Sequence, residues 1–238
     1  MTLAEILASL FPRGHAVAVR DGLVTGTGPF ADGRMHVVGV DGDTPLGVDG
    51  ALVLSRAVLD AVRVGDRAPI LVAVDSDSQR MSRRDELLGL NECLAHLAKA
   101  LLLADRSGHP TIGLIYGHSA AGAFIATALA TRVLAALPGA NPSVMDLPSV
   151  ARVTKLPLDT LKDMAKSTPV FAPGLDNMVA TGAVHVVLNP DQPLEGQIRD
   201  VIGSLPAEDI RDRLGAERRG RPVARTVAAA VADQARLG

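Results

Sequence analysis

The sequence predicts an α/β domain, and three observations carry that prediction. Two short, continuous apolar runs, Pro69–Val74 (PILVAV) and Ile112–Tyr116, have the character of strands buried on both faces. Each passes through a polar or small-residue loop into a stretch whose apolar residues recur at helical spacing. The resulting order of strand, loop, helix, strand, turn, helix favours a largely parallel sheet, because parallel neighbours need a crossover between them. At 238 residues and 47% hydrophobic content, the chain can bury a sizeable core.

Taken in order, Leu3–Leu10 is a first helix that carries Glu5 and lacks the basic lead-in and cleavage site of a signal peptide. His15–Arg20 and Leu23–Thr27 flank Asp21-Gly22, the pattern of a hairpin with a two-residue turn. A second turn, Ala31-Asp32-Gly33, leads to a strand at Met35–Val40. A loop from Asp41 to Gly47 precedes a helix from Gly50 to Arg63, with Leu52, Leu54, Val58, Leu59 and Val62 on its apolar side.

The strand at Pro69–Val74 ends in Asp75-Ser76-Asp77-Ser78-Gln79-Arg80, a polar loop where open α/β sheets place their chemistry. One long helix is expected from Arg84 to Asp105, followed by the strand at Ile112–Tyr116 and a helix from Ala120 to Ala130. Val133–Leu137 and Ser143–Met145 are short strand candidates, Pro148 can open a helix, and Leu158–Lys166 forms a better one. Phe171-Ala172-Pro173-Gly174 is a turn, Ala183–Leu188 a last strand, and Leu194–Ile202 a helix. From Pro206 the composition shifts to interleaved Arg, Glu and Asp, which gives two parts: a domain over residues 1–205 and a charged, solvated helical tail over 206–238.

Net charge is −2, and aromatic residues make up only 2%, with Tyr116 the one tyrosine. The chain therefore lacks both the basic surface and the stacking platform of a nucleic-acid binder. Cys93 is the single cysteine, so no disulfide within the chain and no cysteine-based zinc site can form. Gly113, Gly117, His118, Ser119 and Gly122 interrupt the apolar stretch Thr111–Ala130, so no membrane span is expected and the protein is taken as cytoplasmic. His15, His36, His96, His109, His118 and His185 are scattered, and no metal is implied.

The centre of interest is Gly117-His118-Ser119, predicted as a tight strand-to-helix turn. The first N–H groups of a helix lack partners within it and favour a negative charge. Three readings compete. Gly117-His118-Ser119-Ala120-Ala121 resembles a nucleophile elbow with its last glycine replaced, which makes Ser119 a nucleophile with Asp176 and His185 as formal triad partners. Alternatively, small residues at Ala120, Ala121 and Gly122 let an enolate or acyl oxyanion approach the helix start. The third possibility is close packing in a non-catalytic partner subunit.

Residues 70–205 resemble the carboxyltransferase branch of the crotonase superfamily, with its apolar strand, polar loop, long helix, strand, small-residue turn and helix. More narrowly, GHSAAGAFIATALA, Lys155-Leu156-Pro157 and the segment from Ser167 to Gly174 are similar to malonate decarboxylase gamma subunits. The resemblance implies a crotonase-like carboxyltransferase fold of repeated strand-strand-helix units with a helical C-terminal tail. It implies a cytoplasmic hetero-oligomer in which a beta subunit pairs with this chain, alongside an acyl-carrier subunit and an acyl-carrier-protein transferase subunit. The expected reaction is decarboxylation of a malonyl thioester held on the carrier's phosphoribosyl-dephospho-CoA arm, with no cofactor bound directly to this chain. Carboxyltransferases carry two adjacent glycines before the helix; His118–Ala121 stand there in this chain, which argues against biotin.

On this reading the Gly117–Gly122 segment supplies oxyanion donors, so Gly117, Ala120, Ala121 and Gly122 contact substrate, and Ser78, Gln79 and Arg80 line the same cleft. Tyr116, His118 and Ser119 are the candidates for delivering a proton or orienting the leaving carboxylate. Arg80, Arg83 and Arg84 form a basic cluster suited to a carboxylate or carrier phosphate.

Overall fold

The computed structural model describes residues 1–169 and 172–237, apart from the Leu237 side chain. An eight-stranded sheet forms the centre, in the order β1-β2-β3-β4-β5-β6-β8, with β7 paired to the end of β5. The strands are β1 (Ala18–Arg20), β2 (Leu23–Phe30), β3 (Gly33–Val40), β4 (Ile70–Ser76), β5 (Thr111–Ala120), β6 (Val133–Ala136), β7 (Asn141–Ser143) and β8 (Val186–Val187). The first three form an antiparallel meander, and the pairs from β3 onward are parallel. The predicted α/β architecture of strand-strand-helix units is what the chain adopts.

Helices cover both faces. On one, α2 (Val48–Val64), α4 (Leu90–Arg106) and α5 (Ala121–Ala126) bury Leu54, Val58, Leu94, Leu97 and Phe124 against Val38, Val72 and Ile115. On the other, α1 (Leu3–Leu10) and α9 (Leu194–Gly203) bury Ile6, Leu10 and Ile198 against Val37, Leu71 and Leu114. Adjacent residues of one strand thus serve opposite cores, which is why Ile70–Val74 of β4 and Ile112–Tyr116 of β5 read as unbroken apolar runs. A capping box between Thr2 and Glu5 starts α1. The β1–β2 turn has Asp21 and Gly22 both at positive φ, as a two-residue hairpin requires. At Gly39 the β3 backbone lies so close to the Ala73 carbonyl of β4 that no Cβ fits.

Several predicted boundaries move. The long helix expected from Arg84 splits into α3 (Arg83–Leu87) and α4, because Gly89 adopts φ +80 between them. Leu52, expected on the apolar side of α2, is exposed, and Ala51 and Ala61 are buried in that face instead. The helix after β5 ends at Ala126 and continues only as a short 3₁₀ turn, Ala128–Ala130. The third short strand is Asn141–Ser143 rather than Ser143–Met145, and Ala183–Leu188 shrinks to Val186–Val187. Helices α6 (Leu147–Thr154, capped by Asp146), α7 (Leu158–Ala165) and α8 (Leu175–Ala180) complete the middle of the chain. The turn predicted at Phe171–Gly174 begins outside the described residues.

Where charge patterning predicts a solvated tail from Pro206, the first part docks. Arg132 reaches the carbonyls of Pro206 and Ala207 and pairs with Asp105. Arg211, in α10 (Arg211–Glu217), donates to the carbonyls of Leu129 and Thr131. Arg218 donates to those of Val179, Val184 and His185. Only α11 (Ala224–Leu237) is exposed along its described length, apart from the half-buried Ala224 at its start. Arg211 and Arg218, two of the arginines that suggest a solvent face in sequence, are here donors to main-chain oxygens.

Candidate functional site

Strands β3, β4 and β5 are adjacent and parallel, so their carboxyl ends come out side by side: Asp41–Asp43, Asp75–Arg80 and Tyr116–Gly122. The predicted strand-to-helix turn at Gly117-His118-Ser119 is not a turn. Strand β5 runs on to Ala120, pairing Ser119 with Ser76 on one side and His118–Ala120 with β7 on the other. The direction change falls at Ala121, a non-glycine residue at φ +50. β7 occupies the free edge that a turn would have left open, and that pairing holds the strand straight.

The β4–α3 loop is fixed from below. Leu46 and the loop exchange main-chain bonds, Leu46 N–H to the Ser78 carbonyl and Arg80 N–H to the Leu46 carbonyl, each near 2.8–2.9 Å. Asp85, 1% exposed, accepts from Ser82 Oγ at 2.8 Å and faces the Val48 N–H at the start of α2. Sequence reasoning passed over Asp85, although Ser82-x-x-Asp85 is a helix-start signature. Held this way, Gln79 places Oε1 2.8 Å from the Gly122 N–H. A carbonyl oxygen thus sits on the N–H of the α5 start, and the absence of a side chain at Gly122 makes room for it.

The other sequence-nominated residues separate. Tyr116 is 8% exposed and donates to Asp41 at 2.7 Å; burial, then Asp41, pushes its phenol far above the ordinary range. It stays protonated and acts as a strut between β5 and β3, not as a proton donor in turnover. His118 is pinned twice: its N–H donates to Asp75 Oδ1 at 2.8 Å, and Nδ1 lies 3.0 Å from Asp43 Oδ1. Asp77 lies 4.0 Å from the same nitrogen, and Asp43, Asp77 and His118 present donor atoms within 4.8 Å of one another. Linear spacing hides this group, since Asp43 and His118 are 75 residues apart. The ring is partly exposed, at 35%. Arg84 is occupied by Asp49 at 2.7 Å, while Arg80 and Arg83 are exposed beside the loop.

Ser119 is fully buried, and its Oγ has no hydrogen-bond partner among the described residues. A nucleophile needs a base within hydrogen-bond reach and access to substrate, and Ser119 has neither. Removing an unpaired buried hydroxyl is expected to cost nothing or to stabilise by up to about 1 kcal/mol. Thermal melts of Ser119→Ala should therefore match or exceed those of the parent chain.

His185, the formal triad base, is structural. Its Nδ1 accepts the Leu134 N–H at 3.2 Å, and Nε2 is buried without a partner. Burial, then Arg211, lowers its pKa from 6.5 to about 4. The folded state thus resists a proton that the unfolded chain accepts, so His185 favours folding above 6.5 and that contribution is lost as pH falls toward 4. Denaturation midpoints of the parent chain should drop across that window, and those of His185→Gln should drop less.

Four clefts lie elsewhere: one of about 540 Å³ runs between α4 and residues 207–211, and the others line α9 and the β2–β3 hairpin. Ala121 and Gly122 are half-buried and line none of these four clefts. No helix among the described residues is long and apolar enough to cross a membrane.

A family described as malonate decarboxylase gamma subunit matches residues 42–235. A malonyl-S-ACP:biotin-protein carboxyltransferase of Malonomonas rubra is 32% identical over 123 residues, which are 50% of this chain and 42% of that protein. The chain thus spans less than half the length of that relative. Among solved structures, a Pseudomonas malonate decarboxylase hetero-tetramer in complex with coenzyme A superposes with TM-score 0.80 at 23% identity, covering 98% of this chain and 100% of that one. A Pseudomonas MdcD-MdcE hetero-dimer gives 0.73 at 24%, covering 94% and 97%. A transcarboxylase 12S structure with methylmalonyl-coenzyme A bound gives 0.71 at 16%, covering 87% and 43%. The fold is therefore that of the crotonase-like carboxyltransferases.

Proposed function

The chain belongs to the malonate decarboxylase gamma-subunit family, and from that premise we propose that it pairs with a beta subunit to decarboxylate a malonyl thioester carried by an acyl-carrier subunit. The carrier's phosphoribosyl-dephospho-CoA arm brings the thioester to the Gly122 region, and an acyl-carrier-protein transferase subunit loads it. The observation that carries this reading is the Gln79 amide oxygen on the Gly122 N–H. A carbonyl already occupies the position where a thioester oxygen must bind.

In the reaction the bond between the carboxylate and the methylene carbon breaks and carbon dioxide leaves. Its electron pair moves into the thioester, whose oxygen becomes anionic. A fixed N–H aimed at that oxygen lowers the barrier more than water does, because it needs no reorientation. His118 N–H is committed to Asp75, and Ser119 and Ala120 lie in the ladder, so the donors contract from the whole Gly117–Gly122 segment to the Ala121–Gly122 start. Gln79 swings out as the thioester enters. One proton then converts the enolate to the acetyl thioester. A beta subunit closes over the Gly122 region and excludes water. No biotin is used, and carbon dioxide is released directly.

The test is carbon dioxide release from malonyl-carrier by the chain alone and with beta and carrier subunits, with and without avidin. Activity confined to the complex, insensitive to avidin and kept by Ser119→Ala, is expected. Ester hydrolysis by the isolated chain, lost in Ser119→Ala, would replace this reading with a serine hydrolase.

A further inference from the structure

We propose that His118 is the acid that protonates the enolate carbon, and that Asp43 is a positioning residue that sets its tautomer and aims its ring. The inference rests on the decarboxylase reading and deepens it.

The geometry is over-determined in a way that packing does not require. His118 stands near the end of β5; the adjacent strand β4 and, one strand further on, the loop after β3 each contribute a carboxylate that faces it. From β4, Asp75 Oδ1 accepts the His118 main-chain N–H at 2.8 Å. Gly117 is needed for that bond, since a Cβ there would overlap the Asp75 carboxylate. From the loop after β3, Asp43 Oδ1 meets the ring Nδ1 at 3.0 Å. Asp43 is a non-glycine residue at φ +53, an orientation that costs energy and is kept in place by neighbours. Thr44 Oγ bonds the Asp41 carbonyl at 2.7 Å, and Ser76 Oγ bonds the Thr44 carbonyl at 2.8 Å. The loop is therefore closed across Asp41–Thr44 and tied to β4 just after the aimed carboxylate.

A carboxylate only accepts, so the Nδ1 facing Asp43 carries a proton. In the neutral ring Nε2 is then the free nitrogen, and in the protonated ring Nε2–H is the donor available to substrate. This is the arrangement by which an orienting carboxylate makes an imidazole useful as an acid or base. At 35% side-chain exposure, the ring can recover its proton from water after each turnover.

One loop touches both this imidazole and the Gly122 N–H. Asp77 lies 4.0 Å from His118 Nδ1, and Gln79, two residues on, touches Gly122 N–H at 2.8 Å. The balance is complete: carbon dioxide leaves with its carbon and both oxygens, the methylene carbon takes the Nε2 proton, and neutral His118 takes one proton from solvent.

The experiment uses the full chain, alone for spectroscopy and with beta and carrier subunits for turnover. In the ¹⁵N-histidine-labelled chain, the neutral His118 ring is expected as the Nδ1–H tautomer, shifting toward Nε2–H in Asp43→Asn. In the complex, Asp43→Asn should lower kcat roughly 10²-fold or more with KM little changed, as the loss of general-acid assistance predicts. Asp43→Glu should recover part of the rate. An Nε2–H tautomer in the parent chain, or full kcat in Asp43→Asn, overturns the proposal. So does stoichiometric binding of Zn²⁺ that displaces the Nδ1 proton, which would make Asp43, Asp77 and His118 a cation site. If the parent complex releases no carbon dioxide, the decarboxylase reading fails and the acid role falls with it. Full turnover in Asp43→Asn removes the present inference alone.

Discussion

Gly39→Ala should leave little folded protein. A Cβ at that position would lie well inside contact distance of the Ala73 carbonyl oxygen, with other main-chain atoms of Ala73 close behind. Main chain cannot rotate away as a side chain can, so the clash is relieved only by parting β3 from β4. These strands are in register over five pairs, from His36–Ile70 to Val40–Val74. Their side chains feed both cores, with Val38 and Val72 on one face and Val37 and Leu71 on the other. The expected cost is about 4 kcal/mol or more, above ordinary overpacking because nothing soft adjoins the site. Gly33→Ala is the control: nothing lies within 4 Å of its Cβ position. Urea denaturation of the two variants should give near-parental stability for Gly33→Ala and a collapse in yield or midpoint for Gly39→Ala. Equal behaviour would mean that the strands have more room than the structure shows.

Gly122→Val is the corresponding change for activity. Its β-carbon would meet Gln79 Oε1 at 3.1 Å and Leu94 Cδ1 at 3.3 Å, contacts tight by a few tenths of an ångström. Gln79 presents the far end of a movable side chain, so the fold should survive. The two methyl groups, however, stand where a thioester must approach the N–H. Loss of such a donor is expected to lower kcat by about 10²–10³, measured as carbon dioxide release by the complex, with a melting temperature close to the parent's. Gly122→Ala should fall between. A fully active Gly122→Val would remove this N–H from the mechanism.

Much of the scaffold was legible because burial on two faces leaves a mark in sequence. Ile70–Val74 and Ile112–Tyr116 have no polar residue to spare, and strands β4 and β5 contain them. Helix α1 was legible to the residue, since Leu3, Ile6, Leu7 and Leu10 are its buried side and Glu5 its cap partner. What hid was whatever depends on distant chain. Gly117–Ala120 looks like a turn because its composition is turn-like, but pairing with Ser76 and with β7 makes it strand. Gly89 looks like one tolerated glycine in a helical run, and only its left-handed backbone marks a break. Loop position and residue size single out Gln79 and Gly122 in sequence, and the structure brings the two into contact. The Asp43–His118 pair was not legible, because nothing local links the end of β3 to the end of β5. His185 and Tyr116 drew attention as chemically able side chains, and burial withdraws both: one is held neutral in the sheet, the other bound to Asp41.

The two-residue strand β8 closes one side of the sheet, and Arg218 is seated on the carbonyls of Val184 and His185 just before it. A sheet margin with free main-chain oxygens is a template on which a foreign strand can grow. A guanidinium on those oxygens removes two acceptors beside the last strand from which such a strand could start. Arg218 thus works as a hem at that end of the sheet.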